Sequence, residues 1–386
     1  MEEGRKEFIE EVIVGEKSKS EICRKYGISR VTGDKWIKRY EQGEELRDRS
    51  HAPFHMPSKT PVEVEDMVLE ARRKHPAWGP RKLKKILERE KEGKVPATST
   101  IADILRRNDC ISEKASKAST PYKRFQKESS NEMWQADFKG HFAMKDGKRC
   151  HPLTVLDDYS RYSLCVEAKE NERREGVEKS FTRLFYEYGL PEALLCDNGN
   201  PWGVSQSTGY TLFEIWLMER GILPIHGRIC HPQTQGKEER FHKTMKDELL
   251  SFTEIENMAH AQESFDTFRN SYNNQRPHEA LNMGTPVEYY RTSDRKMPAK
   301  IREWGYPSGF VLRRVKATGY LTYGNQGYFL SEAFGGQTIA IRESSLANGI
   351  NLYYRSFRIA RINIKERAYI SKKIYRADYG TVGGEI

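Results

Sequence analysis

The sequence predicts a multidomain fold: all-α helix-turn-helix units at the N-terminus, a central α/β domain with a mixed sheet, and a small all-β domain at the C-terminus. The chain has 386 residues, of which 37% are hydrophobic, and this length exceeds what one compact core accommodates. Apolar residues recur at helical spacing up to about residue 112. Strands and helices then alternate, and short aromatic and β-branched segments follow from about residue 305.

The N-terminal region, residues 1–50, contains a helix-turn-helix pattern between residues 19 and 41. Gly27 makes the turn and Ser29 is the predicted cap of the second helix. The apolar stripe of that helix is formed by Val31, Trp36, Ile37 and Tyr40. The exposed positions that could enter a major groove are Arg30, Thr32, Asp34 and Lys35. An ordinary helical hairpin is the alternative, because the pattern is short.

Residues 56–112 form a predicted second helical domain of the helix-turn-helix or winged-helix type. Two helices are separated at "HPAWGP", and a third follows with Ser99 or Thr98 as its cap. Its exposed basic residues, which suit contact with a DNA backbone or simply form a solvated face, include Arg81, Lys82, Lys84, Lys85, Arg106 and Arg107. Residues 113–128 are basic, Ser-rich and aperiodic, which predicts an extended linker.

The central α/β domain is predicted to span residues 129–292, where β-rich segments alternate with amphipathic helices such as "REGVEKSFTRLFYEYG". Residues 305–370 read as a small β-barrel or sandwich, because aromatic and β-branched runs are separated by turns with Gly or Asn. Residues 371–386 are predicted to be a tail.

The composition favours a polyanionic partner. Lys and Arg number 65 against 55 Asp and Glu, which gives a net charge of +10, and nucleic acid is the usual partner of such a chain. No apolar run approaches the ~18 residues that a membrane helix needs, and no signal peptide is evident. We therefore expect a cytoplasmic protein that associates with the nucleoid when bound to DNA. The six cysteines form no C-x-x-C pair, which argues against a disulfide framework or a zinc ribbon.

Several acidic residues of the central domain lie at predicted strand ends or at a helix start. They are Asp137, the pair Asp157 and Asp158, Asp197, and the pair Glu238 and Glu239. Mg²⁺ prefers oxygen ligands, and two such ions about 3.5 to 4 Å apart activate the attacking oxygen and stabilise the leaving oxygen in phosphoryl transfer. Carboxylates from separate elements are therefore candidate ligands of a magnesium site.

Helical geometry distinguishes the two adjacent glutamates. The buried stripe of their helix is marked by Phe241, Met245 and Leu249. At about 100° per residue, Glu238 lies roughly 60° from Phe241 and Glu239 about 160° away, so Glu239 is the better candidate for an open site. The face of Glu239 also carries two candidate phosphate-binding residues, Lys243 and Lys246. The alternative is that both glutamates only favour the positive N-terminus of the helix.

The segments "MWQADF", "LTVLDDYSRY", "LLCDNGN" and "HPQTQGKEERFHKTMKDEL", in this order, resemble the DDE catalytic core of the retroviral-integrase type found in bacterial insertion-sequence transposases. The resemblance covers residues 125–292, and the preceding helical units resemble the DNA-binding front end of that group. It implies a ribonuclease-H-like fold. It also implies that Asp137, Asp197 and Glu239 are catalytic residues and ligands of two Mg²⁺ ions, for which Mn²⁺ can substitute.

In that family the last carboxylate follows a PQ-x-Q-G turn by two intervening residues, which points to Glu239 and leaves Glu238 as a capping or solvated neighbour. The 41 residues between Asp197 and Glu239 exceed the usual spacing, and we expect a loop insertion at residues 201–210.

Other motif residues have expected roles of their own. Asp157 and Asp158 match the "DDYSR" strand, which is not catalytic in the family, so both are expected to be structural. Gln235 would lie beside the active site and contact DNA, or belong to a plain turn. In "YNNQRPH", three polar residues orient DNA or pin the last helix, namely Asn273, Arg276 and His278.

We therefore expect a transposase that binds the terminal repeats of a mobile element, frees a 3′-OH by hydrolysis and joins it to target DNA. A homodimer or larger assembly on double-stranded DNA is expected, since two ends must be joined in concert. A DNA-binding regulator with a non-catalytic core and a metal-dependent nuclease that does not join DNA are the alternatives. A glycosidase is disfavoured, because the chain is basic and no aromatic sugar cleft is evident.

Overall fold

The computed structural model describes residues 2–48, 60–90, 94–111, 126–199, 201–202, 209–227, 236–346 and 348–377. These residues form two compact units, Met1–Pro61 and Val62–Ile386. Most of the predicted linker, the predicted site residue Gln235 and the end of the predicted tail lie outside the described residues. Among the helices in these ranges, none has the length and apolar character needed to cross a membrane.

The first unit is a three-helix cluster of α1 (Glu2–Val14), α2 (Lys19–Lys25) and α3 (Arg30–Glu41). Its core is small and joins all three helices through Phe8, Ile9, Ile22 and Cys23, with Trp36 packed against them. The rings of Phe8 and Trp36 meet edge to face at 5.5 Å. Helix α1 was not expected from the helix-turn-helix pattern, yet it supplies the largest buried side chain of this unit.

The start of α3 is as predicted, but its apolar stripe is not. Ser29 caps the helix by accepting a hydrogen bond from the backbone N–H of Thr32 at 3.1 Å, which confirms the predicted cap. Val31 and Tyr40 were predicted to face the core and are instead 79% and 52% exposed. The reason is that Gly33 occupies the tightest contact with α1 and α2, so the buried face of α3 is rotated away from Val31.

The second unit begins with three helices, α4 (Val62–Lys74), α5 (Pro80–Glu90) and α6 (Thr98–Arg107). They enclose an apolar core that contains Val68, Trp78, Leu83, Ile101 and Ile104. The break between α4 and α5 falls at the predicted "HPAWGP" segment. The predicted caps Ser99 and Thr98 are wrong, because both lie inside α6 and the N-cap is Ala97, which has no side-chain acceptor.

The central domain is built on a mixed sheet. Its strands are β1 (Trp134–Phe138), β2 (Phe142–Ala143), β3 (Arg149–Asp157), β4 (Ser163–Lys169), β5 (Ala193–Cys196) and β6 (Leu223–His226). Strand β3 pairs antiparallel with β1, β2 and β4. On the other side, β1 pairs parallel with β5, and β5 pairs parallel with β6. This mixed sheet confirms the predicted fold class of the central domain.

Helices cover both faces of this sheet. The helices of the domain are α7 (Arg174–Tyr188), α8 (Leu212–Glu219), α9 (Gly236–Met245), α10 (Met258–Asn274) and α11 (Pro286–Tyr289). One apolar core combines strand residues with Phe181 of α7 and Phe213 of α8, and the other with Phe241 of α9 and Phe265 of α10. Helix α9 continues directly into a π-helical turn, Lys246–Leu250. Because α9 packs through Phe241 and Met245, its opposite side faces away from the core.

The C-terminal region is all-β, as predicted. Its strands are β7 (Val311–Arg314), β8 (Tyr320–Tyr323), β9 (Gln326–Phe329), β10 (Thr338–Glu343), β11 (Gly349–Tyr354), β12 (Phe357–Asn363), β13 (Ala368–Ser371) and β14 (Tyr375–Arg376). They form one antiparallel sheet in the order β13-β12-β11-β10-β7, with β14 on β12, and a separate β8-β9 hairpin. Strand pairing extends to Arg376, six residues beyond the boundary predicted from the sequence.

The segment between β5 and α8 joins the central domain to the C-terminal sheet. Residues 203–208 of the expected loop insertion lie outside the described residues, but both flanks are buried: Trp202 in the central core and Tyr210 in the C-terminal core. Ile215 and Met218 of α8 pack in that C-terminal core too. The Ser331 hydroxyl donates to the carbonyl O of Tyr210 at 2.8 Å. The segment that follows the insertion therefore packs against the C-terminal domain and holds it in place.

Candidate active site

Two of the predicted carboxylates stand at the ends of neighbouring strands. Strands β1 and β5 run parallel, and Gln135 is paired with Leu195 in their register. Asp137 and Asp197 each lie two positions further along, so the two carboxylates reach the same edge of the sheet. Each accepts a hydrogen bond from the next backbone N–H, that of Phe138 at 2.8 Å and that of Asn198 at 2.7 Å.

Asp137 lies in an environment that disfavours its negative charge. Burial raises the pKa of Asp137 to about 7, and the hydrogen bond from Phe138 opposes this only in part. The negative charges of Asp197, Glu172 and Glu239 raise the pKa of Asp137 further. The carboxylate of Asp137 therefore interacts electrostatically with those of Asp197 and Glu239.

Glu238 and Glu239 occupy opposite environments in the first turn of α9. Glu239 is exposed, and the buried stripe of Phe241, Met245 and Leu249 is confirmed. Glu238 was expected to be capping or solvated, and this is wrong because its side chain is only 1% exposed. Burial raises the pKa of Glu238 well above its ordinary value, and the charge of Asp137 adds to the effect.

Thr154 connects Glu238 to the strand that carries Asp137. Its hydroxyl lies 3.0 Å from the carbonyl O of Asp137, 3.1 Å from Oε2 of Glu238 and 2.8 Å from Nε2 of His242. Burial lowers the pKa of His242 to about 4, so the imidazole is neutral at pH 7. The buried Oε1 of Glu238 has no hydrogen-bond partner in the structure. These polar groups form an inner layer behind Asp137.

The donor chemistry at this edge of the sheet fits a magnesium ion. Mg²⁺ is bound through one or a few carboxylates plus water and phosphate oxygens, and Asp137, Asp197 and Glu239 supply such oxygens from three elements. A cation would also offset the burial and the neighbouring negative charges that together raise the pKa of Asp137. Within the described ranges, however, the structure gathers no three Asp, Glu, His or Cys side chains to metal-binding distances.

Asp157 and Asp158 are both fully buried and hydrogen-bonded, which confirms the structural role expected for them. Asp157 accepts hydrogen bonds from the backbone N–H groups of Asn131 and Ser160, each at 2.8 Å, and from the Ser160 hydroxyl at 2.6 Å. Asp158 is bound by Gln135, by the backbone of Lys127 and by the ammonium group of Lys237.

A histidine beside Asp197 had no role in the sequence analysis. His226 lies at the end of β6, with Nδ1 at 3.0 Å from the carbonyl O of Asp197 and Nε2 at 3.1 Å from Oε1 of Glu214. Burial lowers the pKa of His226, but the hydrogen bond and charge of Glu214 outweigh it and raise the pKa above its ordinary value. Only the packing of α8 against β6 brings this pair together, so no local pattern would have revealed it.

The residues predicted to contact DNA have different environments. Lys243 and Lys246 are exposed on α9 and its π-helical continuation, as is Glu239. In the first unit, Arg30 and Lys35 are exposed on α3, whereas the Thr32 hydroxyl lies 2.9 Å from the Ser29 hydroxyl at the helix cap. Gln235 lies outside the described residues.

Arg81 and Lys82 lie on the side of α5 that packs against the central domain. Lys82 is largely buried with its ammonium 4.0 Å from Glu248, and Arg81 lies 3.7 Å from Glu279. Burial lowers the pKa of Lys82 to about 8. Next to them, the indole N–H of Trp78 donates to Glu248 at 3.1 Å. This face of α5 is thus a joint to the π-helical turn that continues α9.

Two of the three "YNNQRPH" residues make hydrogen bonds that hold helices in place, and the third is buried. The side chain of Asn273 bonds both backbone groups of Ser163 in β4, at 2.8 and 2.9 Å. Arg276 donates from Nε to Glu248 at 2.8 Å. His278 is buried and its Nε2 has no hydrogen-bond partner. Of the two roles considered for this segment, these contacts favour the pinning role.

Comparison with known domain families places the motifs in two kinds of domain. Two models described as integrase core domain match residues 127–232 and 220–286. A model of a helix-turn-helix domain matches residues 5–54, and a model of a homeodomain-like domain matches residues 32–105.

Relatives among known proteins come from bacterial insertion elements. A 31.7 kDa protein of insertion element IS407 from Burkholderia multivorans is 28% identical over 41% of this chain and 55% of its own length. A 39.2 kDa protein of insertion element IS476 from Xanthomonas euvesicatoria is 27% identical over 42% of this chain and 46% of its own length. The chain thus spans about half the length of these two relatives.

Two solved structures are also similar in part. The HTLV-2 integrase catalytic core domain in complex with magnesium shares 16% identity and a TM-score of 0.32 over 42% of this chain and 98% of its own. A chain of the simian T-cell lymphotropic virus intasome shares 15% identity and a TM-score of 0.38 over 78% of this chain and 98% of its own. By its domain-family matches, the chain carries a helix-turn-helix domain followed by an integrase core domain, and over part of its length it is similar to proteins of bacterial insertion elements.

Proposed function

We propose that this protein is a transposase that cuts the ends of a mobile element and joins them to target DNA, with Asp137, Asp197 and Glu239 as catalytic metal ligands. The observation that carries the proposal is the placement of two carboxylates at adjacent parallel strand ends, with an exposed glutamate at the start of the helix that packs across β1. Carboxylates from separate elements at one edge of a sheet suit phosphoryl transfer on DNA.

Each group at this edge has a distinct part in the proposed reaction. Asp137, Asp197 and Glu239 would hold Mg²⁺ or Mn²⁺, two ions per site. When bound, the metal activates the attacking oxygen and neutralises the leaving oxygen. Thr154 holds the Asp137 backbone from the inner side, and His226 holds the Asp197 backbone. Lys243, exposed on the same helix as Glu239, and Lys246, exposed on its π-helical continuation, would contact the phosphates of the DNA.

The chemistry consists of two displacements at phosphorus. Water first attacks the phosphodiester at the element end, which breaks the P–O3′ bond and leaves a free 3′-OH. That 3′-OH then attacks a target phosphodiester, which forms the joined strand and releases a target 3′-OH. Neither step requires a covalent protein intermediate, so the contribution of the chain is to position groups and to place charge.

The distribution of charge supports a DNA substrate. Residues 302–377 contain thirteen Lys and Arg against four Glu, so this region accounts for +9 of the net charge of +10. The N-terminal unit presents Arg30 and Lys35 on an exposed helix face. We expect these regions to bind the terminal repeats and target DNA, with an affinity that falls steeply with salt. Joining two ends in concert calls for a homodimer or larger assembly on the DNA.

The test is a strand-transfer assay with purified protein. A labelled duplex that carries the end of the encoding element is incubated with supercoiled target and Mg²⁺ or Mn²⁺, and EDTA serves as the metal-free reaction. Glu239→Gln should abolish joined products, because a neutral amide is a poor ligand for Mg²⁺, whereas DNA binding persists. The matched control Glu263→Gln, an exposed glutamate on α10, should join DNA like the wild type.

Two other outcomes would contradict the proposal. Sequence-specific binding by the wild type, with no cleavage under either metal, would favour a transcriptional regulator with a non-catalytic core. Cleavage of the element end without joined products would favour a metal-dependent nuclease.

A further inference from the structure

The position of Glu239 relative to Asp137 is set by its neighbours in sequence. Glu239 is exposed, whereas Lys237 and Glu238 both turn inward at the first turn of α9. Residues 228–235, which precede this turn, lie outside the described residues. Among the described residues, the side chains of Lys237 and Glu238 make polar contacts from this turn to the sheet and to the turn between β3 and β4.

Lys237 reaches a carboxylate in the β3–β4 turn. Its ammonium group binds Oδ1 of Asp158 and lies 3.3 Å from the carbonyl O of the same residue. The side chain of Asp158 is fully buried, and that of Lys237 is largely so. The guanidinium of Arg161 and the carboxylate of Asp157 also act on the charge of Lys237. Breaking such a buried ion pair by removing one partner is strongly destabilising, so the pair disfavours arrangements in which its two elements separate.

The same carboxylate also holds strand β1. The amide of Gln135 donates to Oδ1 of Asp158 at 2.5 Å, and the backbone N–H of Lys127 donates to Oδ2 at 2.8 Å. The backbone N–H of Asp158 in turn donates to the carbonyl O of Met133 at 3.0 Å. Gln135 precedes Asp137 by two residues and Lys237 precedes Glu239 by two residues. One carboxylate thus links the two elements that carry these proposed ligands.

We propose that Asp158 is a positioning residue that sets the separation between Asp137 and Glu239 through Gln135 and Lys237. The inference rests on the proposed function, since it concerns the ligands of that site. Residues that orient metal ligands typically change metal affinity by about 10- to 100-fold when they are mutated. A misplacement of about 1 Å in reacting groups costs a comparable factor in rate.

The first step of the test separates positioning from simple stability. Asp158→Asn keeps the shape of the side chain but removes the negative charge that binds the Lys237 ammonium group, so both stability and metal affinity should fall. Lys237→Met added to Asp158→Asn removes the largely buried positive charge as well. The double variant should therefore recover much of the lost stability but not the lost metal affinity, because the link between β1 and α9 remains broken.

Mn²⁺ binding to the full-length protein is measured by the electron paramagnetic resonance signal of the free ion, and stability by urea unfolding in EDTA. We expect the Mn²⁺ dissociation constant to rise about tenfold in both variants. The control Glu254→Gln, which breaks the exposed Lys145–Glu254 pair, should change neither quantity. Strand transfer by each variant should require correspondingly more Mn²⁺.

Each contrary outcome has one meaning. Folded variants that bind Mn²⁺ within twofold of the wild type would overturn the positioning role, as would an affinity that recovers together with stability in the double variant. Glu239→Gln is titrated alongside as the reference for a lost ligand. If the wild type binds no Mn²⁺, or binds it in a way that Glu239→Gln leaves unchanged, the proposed metal site is wrong. The proposed role of Asp158 is then wrong too.

Discussion

At the scale of single residues, two chemically identical side chains can have opposite environments. Glu238 and Glu239 are adjacent, yet one is buried beside Thr154 and the other faces outward, because a step of about 100° carries the side chain from the core to the surface. The sequence predicted that Glu239 faces outward from the periodicity of its helix. It did not predict that Glu238 is buried, because a carboxylate is rarely buried without a partner on another element.

The buried His278 predicts a loss of stability in acid. Burial lowers the pKa of His278 well below 6.5, and the positive charges of Arg276 and Lys82 act in the same direction. Below pH 6.5 the unfolded chain gains a proton at this residue that the folded chain does not, so the free energy of unfolding falls by up to about 1.4 kcal/mol per pH unit. Above pH 6.5 the residue has no such effect.

Urea unfolding of His278→Gln between pH 7.5 and pH 5 checks this prediction. The variant should lose less stability than the wild type over that interval, whatever its stability at pH 7.5. Half-buried His260 on α10 is the control, and His260→Gln should retain the acid dependence that His278 gives the wild type. Parallel curves of unfolding free energy against pH for His278→Gln and the wild type would contradict the prediction. They would show that His278 takes up a proton equally well in the folded and the unfolded chain.

At the scale of elements, close packing decides which helix faces are buried. Gly33 of α3 lies so close to α1 and α2 that an added Cβ would stand 2.9 Å from the ring of Phe8 and 2.8 Å from Sγ of Cys23. The sequence located both helices of the helix-turn-helix pattern correctly. It placed Val31 in the core wrongly, because periodicity does not reveal where a glycine permits the closest approach.

Gly33→Ala is expected to destabilise the first unit by about 1 to 3 kcal/mol, since the new methyl group overlaps Phe8 and Cys23. Gly4→Ala in α1 is the matched control, because its added Cβ meets nothing within 4 Å. That control should be neutral or stabilise the helix by up to about 1 kcal/mol. Hydrogen exchange of residues 2–46 measures both effects, and equal protection in the two variants would contradict the predicted overlap.

The joint between α5 and the π-helical turn gives another prediction at this scale. Glu248 is bound by the indole of Trp78 and by Arg276, and lies near Lys82. Glu248→Ala leaves two largely buried cations without their carboxylate and is expected to cost about 2 to 4 kcal/mol. Glu254→Ala, which breaks an exposed pair with Lys145, should cost less than about 1 kcal/mol. Equal losses of unfolding free energy in the two variants, measured by urea unfolding, would contradict the stabilising role of Glu248 at this joint.

At the scale of the whole second unit, the C-terminal sheet shares an apolar core with the central domain. Tyr210, Ile215 and Met218 pack among residues of the C-terminal domain such as Leu352 and Phe334. The Tyr354 hydroxyl also donates to Glu219 at 3.3 Å. The sequence predicted both domains separately but not this contact, because the residues that meet are more than a hundred positions apart in the chain.

Met218→Ala should loosen this contact. The buried methionine leaves a cavity in the shared core, at an expected cost of about 2 to 5 kcal/mol. Half-exposed Leu212 on the same helix is the matched control, and Leu212→Ala should cost less than about 1 kcal/mol. Limited proteolysis between residues 292 and 310 should be faster in Met218→Ala alone, and equal rates would indicate that the two domains do not depend on this packing.

The sequence by itself determined the order of the domains, most of their helices and strands, and the motif that points to Asp137, Asp197 and Glu239. These properties depend on local periodicity, on turn residues and on the order of short motifs. Tertiary structure alone decided that Glu238 and Lys237 turn inward, that Asp158 joins β1 to α9, and that α5 and α8 act as joints. Such contacts join residues 79 to 170 positions apart, and they depend on how elements pack rather than on the pattern within any one element.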